Sequence, residues 1–471
     1  MVNRETPGRS SGTRKLPRTR RRRSRLIAKI AAALATLAVI AAAGLFVVTK
    51  MSDEGVASTT SSSAPQKATA KPDEPTVDYF YAKDTPYPTP VVSIKAPPAG
   101  YSMFFIENMG RHGSRSDTND DAGKDMLKLW RKADDKNAVT KLGEGLKDDI
   151  ETFDAAERSI GFGQESTRGK AEWKAIGQRT ATNYREFFTA ARENGDEVDV
   201  VTTPVNRTKV SMSAFLDGLT TKAPGLAVNE PVAEEDYINF RSSVSSEGYD
   251  DIDTIENTPE VEEAAANVLR KIFVPEYVDS LHGKVDKALT FYGLYSTAAG
   301  MSLDTDVTFH EYFALEDAAA LSYARDAGTF YKYGPGIKGQ NQTYKGANIL
   351  RTAFFEALDD RINGGDVAAV FRIAHGETTI PFAALLQLPG SEKQAEPGVP
   401  FSYDNNPWRG AKVGTMAGNI EWVAYRNSNK DVLVTMRYNE TPALFRAECE
   451  PVSAGSYFYT PDELKSCLPS S

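Results

Sequence analysis

Residue types that can hold a phosphate group are concentrated in one stretch, Arg111-His-Gly-Ser-Arg115. Guanidinium groups bind phosphate oxygens through paired N–H donors, and His112 lies between two of them. The alternative interpretation of so short a motif is a basic turn exposed to solvent. The stretch therefore predicts a phosphate site if other catalytic side chains come together with it.

Further residues of suitable types follow later in the chain, namely Arg207, His375 and Glu377. Taken singly, an arginine is more often part of the surface, and a histidine is as often part of the core. Each of these residues, however, comes soon after a segment with the pattern of a β-strand, as the first motif does. Their joint occurrence predicts one site with a guanidinium cluster, a pair of imidazoles and a carboxyl group.

The elements that must position these residues are short apolar segments. Residues 103–106 form an apolar run, residues 197–203 alternate, and residues 367–374 are almost continuously apolar, as in a buried parallel strand. Ligands of open α/β sheets bind at the carboxyl ends of such strands. The sequence therefore predicts an α/β fold, with a mostly parallel, doubly wound sheet and helices on both of its faces.

Helical periodicity occupies much of the remaining chain: residues 123–133, 143–155, 169–191, 259–272 and 315–327. The acidic section from roughly residue 230 to residue 340 has no obvious strand, and we interpret it as an inserted helical cap subdomain. After the strand at 367–374, Thr378 or Thr379 is predicted to cap a helix that has Pro381 in its first turn.

The pattern Arg-His-Gly-x-Arg at Arg111–Arg115 resembles the signature of the histidine phosphatase superfamily. Within the acid phosphatase branch, His375-Gly-Glu377-Thr is similar to the His-Ala-Glu motif of the multiple inositol polyphosphate phosphatases, with glycine in place of alanine. Asp117 stands where that branch usually has proline. Other segments look similar to the same group: Thr85-Pro86-Tyr87, residues 169–179, residues 417–419 and Asn439-Glu440.

This resemblance implies a phosphomonoester hydrolase that acts through a phosphohistidine intermediate. His112 would be the nucleophile, and Glu377, protonated, would donate to the leaving alkoxide and then take a proton from water. The residues that hold the phosphate oxygens would be Arg111, Arg115, Arg207 and His375. Because the arginines supply the charge, the resemblance implies no metal and no cofactor.

The resemblance also implies the class of substrate, which is a phosphorylated small molecule. Inositol polyphosphates such as phytate are expected, because His-x-Glu-Thr distinguishes the group. Basic residues that could bind additional phosphates, or simply form solvated helix faces, are Lys124, Lys128, Arg131, Arg168, Lys170 and Lys174. The alternatives are a broad-specificity acid phosphatase, a sugar-phosphate phosphatase, or a non-catalytic surface binding protein on the same fold.

Charge is distributed unevenly along this chain of 471 residues, whose formal net charge is −9. Residues 1–50 carry twelve basic residues against one acidic residue, so the rest of the chain has a net charge of −20. So acidic a body is a poor partner for nucleic acid, whose binding depends on phosphate neutralisation. Any anion site must therefore be a local basic pocket. The sequence does not indicate an oligomeric state.

The amino-terminal part predicts export and contact with a membrane. A basic cluster at residues 18–25 precedes nineteen uncharged residues, 30–48, which suffice to cross about 30 Å of hydrocarbon. Small residues at 41–43 also suit a signal peptidase, so a single-pass anchor and a cleaved signal peptide both stay open. The predicted regions are a basic cytoplasmic segment (1–25), the anchor or signal (26–49), a Ser/Thr/Pro/Ala-rich linker (50–76) and an extracytoplasmic catalytic domain (77–471), which is secreted if the signal is cleaved.

Cys449 and Cys467 are the two cysteines of the chain. In an exported protein they are expected to form a local disulfide, which for a loop of this size contributes about 3 kcal/mol. No metal site is predicted with them, because none of the histidines clusters with the cysteines: His112, His282, His310 and His375.

Overall fold

A central mixed sheet organises the computed structural model, which describes residues 80–468 apart from 91, 92 and 235. Its strands are β1 (Ser102–Arg111), β2 (Glu197–Thr202), β3 (Ala227–Val228), β4 (Val232–Ala233), β5 (Val367–Ala374), β6 (Asn419–Arg426), β7 (Val432–Tyr438) and β8 (Thr441–Ala443). The order along the sheet is β3-β2-β5-β1-β6-β7-β8, and β4 also pairs with β2. Strands β1 to β5 pair in parallel, whereas β6, β7 and β8 add to β1 in antiparallel fashion.

Helices surround this sheet. The α-helices of the described residues are α1 (Asp121–Asp134), α2 (Gly143–Ile160), α3 (Thr167–Asn183), α4 (Arg185–Asn194), α5 (Asn206–Lys222), α6 (Ser246–Glu256), α7 (Pro259–Ile272), α8 (Pro275–Asp279), α9 (Lys284–Gly300), α10 (Leu315–Tyr333), α11 (Asn348–Ile362), α12 (Gly376–Leu385), α13 (Gly410–Val413) and α14 (Pro461–Cys467). Three 3-10 helices complete this part of the chain: Ala82–Asp84, His310–Tyr312 and Lys345–Ala347.

Both faces of the sheet are covered, as predicted for a doubly wound fold. Successive residues of a strand point to opposite faces, so neighbours in sequence join different cores. Ile106 and Phe371 pack with α3 and α5 on one face, whereas Phe105 and Val370 pack with α11 and α12 on the other. The α/β prediction is therefore confirmed, although the antiparallel strands make the sheet mixed.

The register of the parallel strands decides which loops meet. Arg111, the last residue of β1, is paired with Ala374, the last residue of β5. Thr202, which ends β2, is paired with Ile373 of β5. The turns that follow these three strands therefore leave the sheet at the same edge, where the fold class predicts the ligand site.

A second, helical layer is held together by its own apolar cluster. Leu269 of α7 and Phe291 of α9 pack there with Ile150 and Phe153 of α2. This layer therefore combines helices of the acidic section with α1 and α2, which precede β2 in sequence. A cap subdomain confined to roughly 230–340 remains a prediction.

Two local predictions are wrong. The helical segment 169–191 is divided into α3 and α4 at Tyr184, whose backbone leaves the helical region and whose buried hydroxyl donates to Glu421 Oε1 at 2.7 Å. Helix α12 begins at Gly376 rather than at a threonine cap, because Thr378 Oγ1 instead donates to the carbonyl of Ile238 at 2.7 Å. Pro381 consequently lies inside α12 and not in its first turn.

Cys449 and Cys467 form the predicted disulfide. Such a bond indicates an oxidising compartment, outside the cytoplasm. Among the residues that the structure describes, no helix has the length and apolar character needed to span a membrane. The predictions for residues 1–25, 26–49 and 50–76 lie outside these described residues.

Candidate active site

The Arg-His-Gly loop, residues 111–116, follows β1 and packs on a tryptophan of α3. Trp173 is fully buried, and its Nε1–H donates to the carbonyl of Arg111 at 3.0 Å. A Cβ atom at Gly110 would lie 2.4 Å from Cη2 of this indole, so only glycine fits there. The N–H of His112 donates to the carbonyl of Ala374 at 2.9 Å. The start of the loop is thereby fixed to both α3 and β5.

His112 is held in one tautomer. Its Nδ1 lies 2.9 Å from the carbonyl oxygen of Gly113, which can only accept, so Nδ1 carries the proton and Nε2 has the free electron pair. The ring is 3% exposed. Burial, followed by Arg111, Arg115 and Arg207, holds the pKa of His112 well below its ordinary value. The imidazole is therefore neutral at neutral pH, and the electron pair of Nε2 is available to form a bond.

Three guanidinium groups surround this ring. The buried Nε atoms of Arg111, Arg115 and Arg207 have no hydrogen-bond partner among the described residues. Buried donors are normally paired in proteins, so three unpaired ones at a single site indicate a site that binds an anion. Burial and the neighbouring arginines lower the pKa of Arg207 to about 10, which leaves it cationic at neutral pH.

Arg111 is the most firmly held of the three. Its Nη1 donates to the carbonyl of Lys83 at 2.5 Å and to the carbonyl of Gly414, and its Nη2 lies 3.6 Å from Asp84 Oδ1. Burial alone would raise the pKa of Asp84, but Lys83 and Arg111 hold it well below its ordinary value. Asp84 is thus a carboxylate that fixes the orientation of the Arg111 guanidinium.

His375 directly follows β5 and faces the His112 ring edge-on, with ring centroids 5.6 Å apart. Arg207 Nη2 lies 3.1 Å from its Nδ1, and because a guanidinium only donates, this nitrogen accepts. Its Nε2–H therefore donates to Thr203 Oγ1 at 3.0 Å. Burial and the positive charge of Arg207 lower the pKa of His375 to about 4. The two histidines of the site thus carry their protons on different nitrogens.

Glu377 lies in the first turn of α12 and is an exposed residue. Partial desolvation of its carboxyl group by the surrounding protein would raise its pKa, but its own backbone N–H, together with Lys83 and Arg111, lowers the pKa overall. The group is accordingly a carboxylate in the ligand-free protein, which differs from the protonated acid expected for it. Gly376 before it suits close packing, since a Cβ there would lie 3.2 Å from Arg111 Nε.

Sequence reasoning missed the contribution of Lys83 and Asp84. Asp84 raises the pKa of the Lys83 ammonium group, but burial and the charge of Arg111 lower it overall. The charge of Lys83 therefore acts on the same site as that of Arg111. The positive charge of Arg325, in α10, also lowers the pKa of Lys83 and that of Asp84. Lys83 and Asp84 stand directly before the Thr85-Pro86-Tyr87 segment, and that position was the one signal in the sequence that could have indicated them. The sequence around Arg325 carried no such signal.

The segments of weak resemblance converge on one network behind the site. Arg179 Nη2 donates to Glu440 Oε2 at 2.6 Å, and the Tyr87 hydroxyl donates to the same oxygen at 3.1 Å. Asn419 Nδ2 donates in turn to the Tyr87 hydroxyl at 3.2 Å. Residues that are far apart in sequence therefore hold the segment around Tyr87 against α3 and β6.

Asp117, which replaces the usual proline, has a structural role. Its backbone N–H donates to Oε1 of the buried Glu157 at 2.5 Å, a bond that proline cannot make. Burial raises the pKa of Glu157 to about 7. This hydrogen bond to α2 restrains the end of the loop in a different way from the ring of a proline.

A family model described as the histidine phosphatase superfamily (branch 2) matches residues 105–439, more than half of the chain. The chain belongs to this family. It is a phosphatase, an enzyme that hydrolyses phosphomonoesters.

Solved structures of this phosphatase family superpose closely. The multiple inositol polyphosphate phosphatase of Bifidobacterium longum, in complex with inositol hexasulfate, is 27% identical with a TM-score of 0.78, covering 83% of this chain and 98% of that chain. Its apo form is 26% identical with a TM-score of 0.79, covering 83% and 97%. The phytase from D. castellii, 16% identical with a TM-score of 0.62, covers 83% of this chain and 84% of that chain and shows the common fold alone.

Proposed function

We propose that this phosphatase transfers the phosphoryl group of an inositol polyphosphate first to His112 and then to water. The observation that carries the proposal is the state of His112, a buried neutral imidazole with Nδ1 bound to Gly113 and Nε2 unprotonated. The three arginines with unpaired Nε donors supply sites for the phosphate oxygens around it.

In the first step, the electron pair of His112 Nε2 forms a bond to phosphorus while the bond from phosphorus to the ester oxygen breaks. Arg111, Arg115 and Arg207 hold the other phosphate oxygens, on which charge is spread in the transition state. His375, whose nitrogens are bound to Arg207 and Thr203, orients the Arg207 guanidinium toward them. The leaving oxygen takes a proton from Glu377. In the second step, water attacks phosphorus, gives its proton to Glu377 and releases phosphate and free His112.

Glu377 obtains the proton for the first step when substrate binds. In the free enzyme the positive charges of Lys83 and Arg111 favour the carboxylate. The negative phosphate offsets those charges, and a monoanionic ester brings a proton with it, since its second pKa is about 6. This coupling restricts the protonated acid to the complex in which it is needed.

The substrate class is supported by the similarity to the Bifidobacterium enzyme, whose name describes action on inositol polyphosphates. Lys83 and Arg325 supply positive charge in addition to the three catalytic arginines, and both lower the pKa of Asp84. Positive charge near the site favours a substrate with several phosphate groups. Two of the helix residues considered earlier are engaged elsewhere on the surface. Lys124 pairs with Asp120, and Lys174 pairs with Asp217.

The test of substrate class compares kcat/KM for phytate and for glycerol phosphate, using the purified full-length chain at mildly acidic pH. Phytate should be preferred. Lys83→Met should lower kcat/KM for both substrates, because Lys83 acts on Asp84 and Glu377. The loss should be about tenfold greater for phytate, the effect of one additional charge-assisted contact of about 1.5 kcal/mol. Lys174→Met is the matched control and should alter neither value. A wild-type preference for glycerol phosphate would place the enzyme among the broad-specificity acid phosphatases.

The proposal includes tethering of the catalytic domain outside the cytoplasm by the segment at 26–49. Protease added to intact cells should then digest the domain or its linker, and the undigested protein should sediment with membranes. Recovery in the culture medium would instead support a cleaved signal peptide. Protection of the whole chain until the cells are lysed would contradict an extracytoplasmic position.

A further inference from the structure

A carboxyl group of α3 lies directly behind the Arg-His-Gly loop, residues 111–116, and the steps described above do not use it. Glu172 Oε2 accepts from the backbone N–H of Ser114 at 2.9 Å. Its Oε1 accepts from the Ser114 hydroxyl at 2.8 Å and from the N–H of Tyr87 at 3.0 Å. The side chain is 7% exposed and lies 3.5 Å from Arg168 Nε. Several donors therefore fix this carboxyl group against the loop.

The amide that Glu172 binds is the same peptide unit that orients His112. The carbonyl of Gly113 and the N–H of Ser114 belong to one planar peptide bond and point in opposite directions. With its N–H held by Glu172, this peptide aims its oxygen at Nδ1 of His112, 2.9 Å away. A continuous path therefore connects the carboxylate to the imidazole through one rigid unit.

Gly113 makes such a restraint necessary. A Cβ at this position would lie 2.5 Å from Glu165 Oε1, so the close packing requires glycine. Glycine, however, leaves its flanking peptides more freedom to rotate than any other residue. The preceding amide is also held, since the N–H of Gly113 donates to Ser211 Oγ at 3.0 Å and Ser211 donates to Glu165 at 2.8 Å. Both peptide units around Gly113 are thus restrained by buried carboxyl groups.

We propose that Glu172 is a positioning residue that fixes His112 in the Nδ1–H form by orienting the peptide between Gly113 and Ser114. The inference rests on the proposed role of His112 as nucleophile, but concerns a property that exists without substrate. If Glu172 is removed, the peptide is free to turn, and Nδ1 loses its only acceptor among the described contacts of the ring. The proton then distributes over both nitrogens, and molecules with Nε2–H cannot attack phosphorus.

The experiment reads the histidine tautomers of the full-length chain by two-bond ¹H–¹⁵N spectra after selective ¹⁵N-histidine labelling. The chain has four histidines, and His112→Ala assigns the signal of interest. At neutral pH, wild-type His112 should be the Nδ1–H form and His375 the Nε2–H form. Glu172→Ala should give His112 a mixture of both forms and lower kcat by about tenfold to a hundredfold with little change in KM, as for other groups that orient a functional imidazole.

Two further variants separate positioning from general destabilisation. Glu172→Gln retains an acceptor for Ser114 N–H and should largely restore the Nδ1–H form. Glu172→Met fills a similar volume without an acceptor, and it replaces the alanine variant, with the same expected mixture of tautomers, if that variant does not fold. Arg179→Ala breaks a different ion pair of α3 and should lower the unfolding midpoint without changing the tautomer. A wild-type His112 with Nε2–H, or an unchanged tautomer in the folded Glu172→Ala variant, overturns the proposal. Continued turnover by His112→Ala would instead contradict the proposed function, in which His112 is the nucleophile.

Discussion

Replacing His112 with alanine should reduce turnover by roughly 10⁴-fold to 10⁶-fold, as expected for loss of a covalent nucleophile. The flanking arginines cannot replace His112 as the nucleophile because they are cationic. The hydroxyl of Ser114 cannot replace it either, because it donates a hydrogen bond to Glu172. Quenching the wild-type enzyme in alkaline detergent during turnover of ³²P-labelled phytate should trap a phosphoprotein that is stable to alkali and labile to acid. The alanine variant should give none.

The control for this experiment is His282→Ala, which changes an exposed histidine outside the site. That variant should retain both turnover and the labelled intermediate. The thermal unfolding midpoint of His112→Ala should be compared with that of the wild type, so that loss of activity is not confused with loss of fold. Undiminished hydrolysis by His112→Ala, or a phosphoprotein that persists in it, would rule out the phosphohistidine mechanism.

Glu377→Gln should have an effect that depends on the leaving group. An inositol alkoxide needs a proton as it leaves, so phytate hydrolysis should fall by about 10²-fold to 10⁴-fold, the usual contribution of a general acid. p-Nitrophenolate leaves well without a proton, and its release should slow far less. The measurement is the pre-steady-state burst of the leaving group for each substrate. Equal slowing of both substrates would mean that Glu377 is not the acid.

The pH dependence follows from the directions of the pKa shifts. Because burial and the arginines keep His112 neutral, lowering the pH should not inactivate the nucleophile over the mildly acidic range. Because Glu377 is a carboxylate in the free enzyme, the proton for the leaving group must enter with the substrate. The value of kcat/KM for alkyl phosphates should therefore decline as pH rises above about 6, where the ester loses its second proton. A rise in kcat/KM between pH 6 and 8 would contradict this proton path.

Prediction from sequence succeeded where a short segment carries its own information. The apolar run before Arg111 and the segment ending at Ala374 predict buried strands, and both are found as β1 and β5. A strand that ends in polar residues places those residues at the edge of the sheet whatever the rest of the chain does. Cys449 and Cys467, close together in sequence, likewise suggested their own disulfide.

Local pattern failed where a tertiary contact overrides it. Tyr184 lies in a continuous helical pattern, yet the hydrogen bond to Glu421 on β6 turns its backbone out of the helix. Threonine is a residue type that often caps helices, but the hydroxyl of Thr378 donates to the carbonyl of Ile238, more than a hundred residues away in sequence. Such partners cannot be read from a window of neighbouring residues, because they are brought close only by the packed fold.

The sequence by itself determined which residue types meet at the end of β1 and β5, and therefore the phosphate chemistry of this family. The tertiary structure decided their protonation. Neutral His112, the tautomer of His375 and the carboxylate of Glu377 depend on burial and on charges such as Lys83, which lies 29 residues before His112 in the printed sequence. A pKa responds to solvation and to charges within a few ångströms, and only the folded chain fixes those distances.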